Sequence, residues 1–387
     1  MKNLIEKTLL ELETKGLKRS LTIVESATGP RVTIEGKDTL LMCSNDYLSL
    51  ANHPLVKEAA IKAIEKYGVG SGASRLTSGT MTPHIELEEK IKEFKKAEAA
   101  LVFNSGYNAN TGLIPSLASK GGYIFSDKLN HASIMDGCLL SRATLKRYPH
   151  SDTRALEKLL KQAGNADKLI ATDGVFSMDG DIAPLREITR LADKYNATVL
   201  VDDAHGVGVL GENGRGSLEH LGIENPFVIQ MGTLGKAIGT FGAYAVGSEK
   251  LKTLLINRAR PFIYTTSLPP AVCAAGVAAL DVMRNEPWRR KKVIENAAVV
   301  REALNKEGFD TLKSSTQIIP VVIGDAEKTM AISRKLLAKG LFVQGIRPPT
   351  VPGNSSRLRL TITAGHTDAD IEFAIKTLKE VLHEEGL

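Results

Sequence analysis

The chain has 387 residues, 43% of them hydrophobic and 24% charged, enough for two or three domains around a large core and unlike a disordered chain. Fifty basic against 44 acidic residues leave a formal charge of +6. This charge is spread along the chain, which fits attraction to anionic small molecules and excludes the clustered patch of a nucleic-acid binder; Arg289-Arg290-Lys291-Lys292 reads as a solvated helix face.

In chain order, MKNLIEKTLLELETKG predicts an initial helix over about 2–15, followed by a short β segment, RVTIEGKDTLLMCS. Strands and helices then alternate. YIFS is strand-like, KLIATDG (168–174) reads as a buried strand, and PLREITRLADKY (184–195) as a helix with proline in its first turn. ATVLVDDAHG (197–206) and FVIQMG (227–232) are further strands. This alternation predicts an α/β fold with a mostly parallel central sheet, whose ligands gather beyond the carboxyl ends of its strands. From about 281 the pattern changes to a smaller α+β domain: helix AEKTMAISRKLLAKG, strand LFVQGI, a proline-rich loop over 347–353, strand SRLRLTI, and a closing helix capped by Thr367. The expected division is therefore an N-terminal helix and β segment over 1–45, a large α/β domain over 46–280 and a C-terminal α+β domain over 281–387. Three distant cysteines, Cys43, Cys138 and Cys273, give neither a disulfide framework nor a zinc site, and no metal is expected. No stretch approaches the ~20 apolar residues of a membrane span, nor does the start carry an apolar signal core, so a cytoplasmic location is the expectation.

GVGVLG (206–211) matches the G-x-G-x-x-G of dinucleotide sites, but Glu212-Asn213-Gly214-Arg215-Gly216 is a poor start for the helix that would have to hold a pyrophosphate. The informative segment is QMGTLGKAIGTFG (230–242). Lys236 is its one charge, amid four glycines and just after a strand. A lysine in an apolar, glycine-rich setting is either a snorkelling surface residue or an amine whose proton is easily shed, as imine formation with a carbonyl requires. Companions favour the second. Asp202 ends a strand and could keep a pyridine nitrogen protonated; His205 could bond a phenolic oxygen. Gly106 and Tyr107 open a helix after Ser105, where free amides favour a phosphate; Thr233 adds a hydroxyl, and the ring of His131 could lie on a pyridine.

With the segments SNDYLSL, GSGASRLTSGT, NSGYNAN, LNHASIMDG, DGVFSMDGD, VDDAHGVGVLGENGRG, GTLGKAIGTFGAY, YTTSLPP and RLRLTITAGHT, the sequence resembles the α-oxoamine synthase family along nearly its whole length. The resemblance implies pyridoxal 5′-phosphate (PLP) enzymes of the aspartate aminotransferase-like fold type I, which condense an amino acid with an acyl thioester and release CO2. It makes Lys236 the Schiff-base lysine and general base, Asp202 the partner of the ring nitrogen, His205 that of the phenolic oxygen and His131 the stacking ring. Ser177, Thr233, Gly106 and Tyr107 would contact the cofactor, and Arg359 would bind the amino-acid carboxylate. Arg19 and Thr350 would line the acyl side. A homodimer is implied, with Thr265 and Thr266 reaching the neighbouring subunit's phosphate. GASRL, DDAHG and IRPPTVP are nearest to members joining L-alanine to a pimeloyl group, carried by CoA or a carrier protein, in biotin synthesis; glycine with acetyl-CoA is the alternative. Ser49 stands where the family pattern has glycine.

Overall fold

The computed structural model describes residues 2–387. They form two compact units: one of Asp46–Ser177 and Asp181–Lys291, the other of the segment ending at Asn45 with Met178–Gly180 and Lys292–Leu387. A helix, Pro270–Asn285, runs without a break through position 281.

The larger unit is built on a seven-stranded sheet in the order Ala99–Phe103, Ala243–Gly247, Val228–Thr233, Thr198–Asp202, Lys168–Asp173, Tyr123–Asp127, Thr144–Tyr148. Only Ala243–Gly247 runs against its neighbours; the other strands are mutually parallel. The central strands are buried along nearly their whole length, and consecutive residues feed opposite faces. Leu169, Ala171 and Leu200 pack with Ala109, Leu113, Ile134 and Leu255 on one side. Ile170, Val199 and Val201 pack with Leu156, Leu160, Leu185 and Leu191 on the other. Each strand is thus covered twice by helices, as the continuous apolar runs predict.

The predicted elements fall close to their observed bounds, with two instructive differences. Pro184 is the N-cap of the helix Leu185–Tyr195 and not part of its first turn. LFVQGI is not one strand but two, because its halves serve different sheets: Leu341–Phe342 adds in parallel to Lys37–Leu41, and Gln344–Ile346 pairs with Ser356–Thr361. Between them Val343 is buried, and its carbonyl accepts from Ser333 Oγ at 2.7 Å.

In the smaller unit, Ile318–Gly324, Ser356–Thr361 and Gln344–Ile346 form an antiparallel sheet, with Pro320 on an edge strand where its missing N–H is tolerated. Leu358 and Leu360 enter a core with Ile319, Val321, Leu378 and Val381, which puts Arg357 and Arg359 on the other face. The closing helix Asp368–Glu384 is capped by Thr367, whose Oγ1 accepts from Asp370 N at 3.1 Å. Among the described residues no helix is long and apolar enough to cross a membrane.

The helix Ala132–Ser141 packs closely on Gly106–Leu117 through Gly137, where a Cβ would lie 2.8 Å from the carbonyl oxygen of Asn110. Gly137→Ala must therefore push these helices apart. A loss of about 1–3 kcal/mol is expected, seen as a lower urea midpoint at unchanged m-value; a midpoint equal to wild type would refute the close contact.

Candidate active site

Four neighbouring parallel strands of the larger unit end in acidic or hydroxyl residues: Asp127, Asp173, Asp202 and Thr233. Asp202 is buried beside Asp173 in register. One of its oxygens accepts from Asn110 Nδ2 at 2.7 Å, the other from Ala204 N at 3.0 Å. Asn110 Nδ2 also donates to Ser133 Oγ (2.9 Å), which bonds His131 Nδ1 (2.7 Å). A chain of hydrogen bonds thus runs from Asp202 to the ring of His131. Burial lowers the pKa of His131, as does Lys236, against the opposing pull of Asp202, so its ring is neutral at pH 7. The His131 N–H donates to Asp173 at 2.7 Å. Burial first, and then the charge of Asp202, push the Asp173 carboxyl well above the ordinary carboxylate range.

Lys236 lies in the loop that leaves Val228–Thr233 and returns as Ala243–Gly247. The loop is closed on itself: Leu234 N donates to Gly242 O at 2.9 Å, Thr240 N to Leu234 O at 2.9 Å and Gly239 N to Lys236 O at 2.8 Å. Thr233 Oγ1 donates to Gly242 O and accepts from Gly235 N. Lys236 is half-buried, with Nζ 2.8 Å from His205 Nε2, while Nδ1 of His205 meets the hydroxyl of fully buried Tyr47 at 2.7 Å.

Ser105 caps the helix Gly106–Leu117 by accepting from Asn108 N at 3.1 Å. The amides of Gly106 and Tyr107 head that helix, where no intrahelical acceptor exists for them. The Tyr107 hydroxyl donates to Asp136. Thr265 and Thr266 lie beside Asn104, whose Nδ2 donates to Thr266 O at 2.7 Å. Ser177, half-buried, follows the strand Lys168–Asp173 in the turn closed by the Val175–Ile182 bridge. In the smaller unit, Arg359 is buried, with its guanidinium 3.4–3.5 Å from Asn45 Oδ1. Arg19 and Thr350, 331 residues apart in sequence, meet through a 3.2 Å hydrogen bond.

Ser49 is held with φ +54°, its N–H donating to Asp46 O at 2.9 Å. It is therefore the left-handed residue of a turn, a conformation that glycine adopts at less cost. The glycines of the false dinucleotide motif have a different purpose. A Cβ at Gly206, or at Gly216 beyond the motif, would come within about 2 Å of the Asp203 carboxylate, which accepts from Ser217 N at 2.8 Å and fastens the loop carrying His205; one at Gly208 would meet Ala237, and one at Gly211 the carboxylate of Glu219. A cavity of about 560 Å³ at the amino-terminal end of Val228–Thr233, lined by Lys95, Arg215, Glu219, Gln230 and Ser248 among others, includes none of the residues with predicted roles.

The donor set fits PLP: a buried carboxylate for a protonated ring nitrogen, a lysine amine for the aldehyde, a neutral imidazole for stacking and a helix N-terminus for the phosphate. The sequence profile of aminotransferase class I and II matches residues 37–378, and the chain belongs to that family. Within it the chain is an α-oxoamine synthase. It is 54% identical to 8-amino-7-oxononanoate synthase of Geobacter sulfurreducens over 382 residues, 98% of each chain. It is 55% identical to the synthase of the same name from Citrifermentans bemidjiense, over 96% of each chain. Serine palmitoyltransferase from S. paucimobilis with a bound PLP–myriocin aldimine superposes with a TM-score of 0.94 at 34% identity, covering 99% of this chain and 98% of that one. The chain is a PLP-dependent acyltransferase.

Sequence reasoning missed Asn110, Ser133, Tyr47 and His150. Asn110, Ser133 and Tyr47 lie inside recognised motifs, but nothing in their local spacing marks them apart from the motif. His150 bridges Asp127 Oδ1 (3.1 Å) and Asp181 Oδ2 (2.9 Å), with its ring edge-on to Phe176. Burial alone would lower its pKa, but the two carboxylates push it up to about 10, so the clasp is an ion pair at neutral pH. It ties the segment leading to His131 to the turn carrying Ser177. A raised folded pKa stabilises most below the unfolded value of about 6.5, and this contribution is lost as pH rises through about 10. The melting temperature of His150→Gln should therefore lie below wild type at pH 6.5 and approach it by pH 10.5; a gap that widens with pH would refute the ion pair.

Proposed function

We propose that the enzyme joins L-alanine to a pimeloyl thioester, of CoA or a carrier protein, giving 8-amino-7-oxononanoate, CO2 and the free thiol in biotin synthesis. The observation that carries this reading is the placement of Lys236 Nζ against His205, in the unit where Asn110 holds Asp202, in a chain about half identical over nearly its whole length to synthases of that name.

When bound, PLP supplies an aldehyde for the amino acid's nitrogen and a ring that accepts electrons from its α-carbon. Lys236 is the base: its free Nζ takes the α-proton and later returns one to the product. Asp202 holds the proton of the ring nitrogen, and the bonds from Asn110 and Ala204 N fix the direction of its carboxylate. Neutral His131 offers a flat face without a competing charge, and His205 would bond the phenolic oxygen. Ser177, Thr233 and the amides of Gly106 and Tyr107 would hold the remaining oxygens of the cofactor. Arg359 would bind the alanine carboxylate, to which a planar guanidinium can donate two parallel hydrogen bonds. Arg19 and Thr350, already paired, would face the acyl substrate. In a cytoplasmic homodimer, Thr265 and Thr266 would reach the phosphate of the neighbouring subunit.

Supplying alanine or glycine with pimeloyl-CoA or acetyl-CoA and following CoA release tests the substrate pair. Alanine with pimeloyl-CoA should give the highest kcat/KM, and a preference for glycine with acetyl-CoA would overturn the assignment. Lys236→Ala should lower turnover by at least about 10²–10⁴-fold, with borohydride no longer fixing PLP to the peptide bearing residue 236. Near-normal turnover would refute its role as base.

A further inference from the structure

Tyr47 is fully buried, with its ring tilted 47° to that of His205 and its hydroxyl 2.7 Å from Nδ1. On the far side of the imidazole, Nε2 is 2.8 Å from Lys236 Nζ. A neutral imidazole carries one ring proton, so one nitrogen donates and the other accepts. A lysine ammonium has only protons to give. Opposite it, Nε2 must accept, and the Nδ1 proton goes to the tyrosine oxygen. An oxygen acceptor opposite Nε2, such as the phenolic oxygen of PLP, requires the other tautomer, with the tyrosine proton turned toward Nδ1. A carboxylate or backbone carbonyl at Nδ1, the common partners of histidine, would accept only and lock the first tautomer. A hydroxyl serves both.

We propose that Tyr47 is a positioning residue for the reaction: its hydroxyl lets His205 accept from the free Lys236 side chain and donate to the cofactor once Lys236 is engaged. The proposal rests on the roles given to Lys236 and His205 above. The proton count closes. The Lys236 ammonium gives one proton to Nε2 and becomes the amine, while Nδ1 releases one to water, so the pair loses one positive charge in all. Phenylalanine at position 47 keeps the ring in its buried place but offers Nδ1 neither donor nor acceptor, so each tautomer keeps only its bond at Nε2 and is held less firmly.

The test uses the full-length protein with ¹⁵N-labelled histidines, read by long-range ¹H–¹⁵N correlation without and with PLP, His205→Gln giving the assignment among eight histidines. In wild type, His205 should carry its proton on Nδ1 without PLP and on Nε2 with it. In Tyr47→Phe, a less complete switch is expected, with the minor tautomer populated in both states, kcat lower by about ten- to a hundredfold and both KM values within about threefold of wild type. One tautomer in both states of the wild type overturns the proposal, and this readout does not depend on the variant folding. A wild-type switch and kcat in Tyr47→Phe overturn it as well. Failure of borohydride to fix PLP at Lys236 in the wild type would instead remove the parent assignment, which separates the two failures.

Discussion

A carboxylate withdrawn from water must be given hydrogen bonds or a cation, or it gives up its charge. The larger unit buries four of them within one layer: Asp127, Asp173 and Asp202 at the ends of adjacent parallel strands, and Asp203 one residue further on. The donors that answer them come from segments distant in sequence. His150 and Ser151 N serve Asp127, His131 N serves Asp173, Asn110 serves Asp202 and Ser217 N serves Asp203. Satisfying the four acids therefore fixes the segments that carry His131, Ser177 and His205. The solution is not uniform. Asp173 is pushed toward the neutral form, whereas Asp127 faces an imidazolium.

Much of this was legible in the sequence because it is local. Buried strands show as apolar runs, a lysine without charged neighbours is conspicuous, and the Thr367 cap is a matter of a few residues. The partners of those groups were not legible. Asn110 and Ser133 meet across two helices that pack only because residue 137 has no side chain. His150 joins positions 127 and 181, a pairing for which no spacing rule exists. The division of LFVQGI between two sheets depends on which edges are open, and edges are a property of the folded sheets. The false dinucleotide match shows the converse: a local pattern whose glycines answer to neighbours in the fold, Asp203, Ala237 and Glu219.

The smaller unit obeys the same rule with opposite charge. Arg357 and Arg359 sit on one face of a strand whose other face is core, and both are buried. Arg357 finds Asp179. Arg359 lies with its guanidinium 3.4–3.5 Å from the side-chain oxygen of Asn45.

The packing around Asp203 also bears on how such an enzyme can change over time. Its oxygens lie where a methyl group on Gly174, Gly206 or Gly216 would have to go. A side chain at any one of these positions would have to displace the Asp203 carboxylate, and a smaller residue at 203 would release Ser217 N. Exchange of the whole 174–217 segment from a relative keeps these fits together, so recombination offers this lineage a route to variety in the His205 loop that stepwise substitution does not.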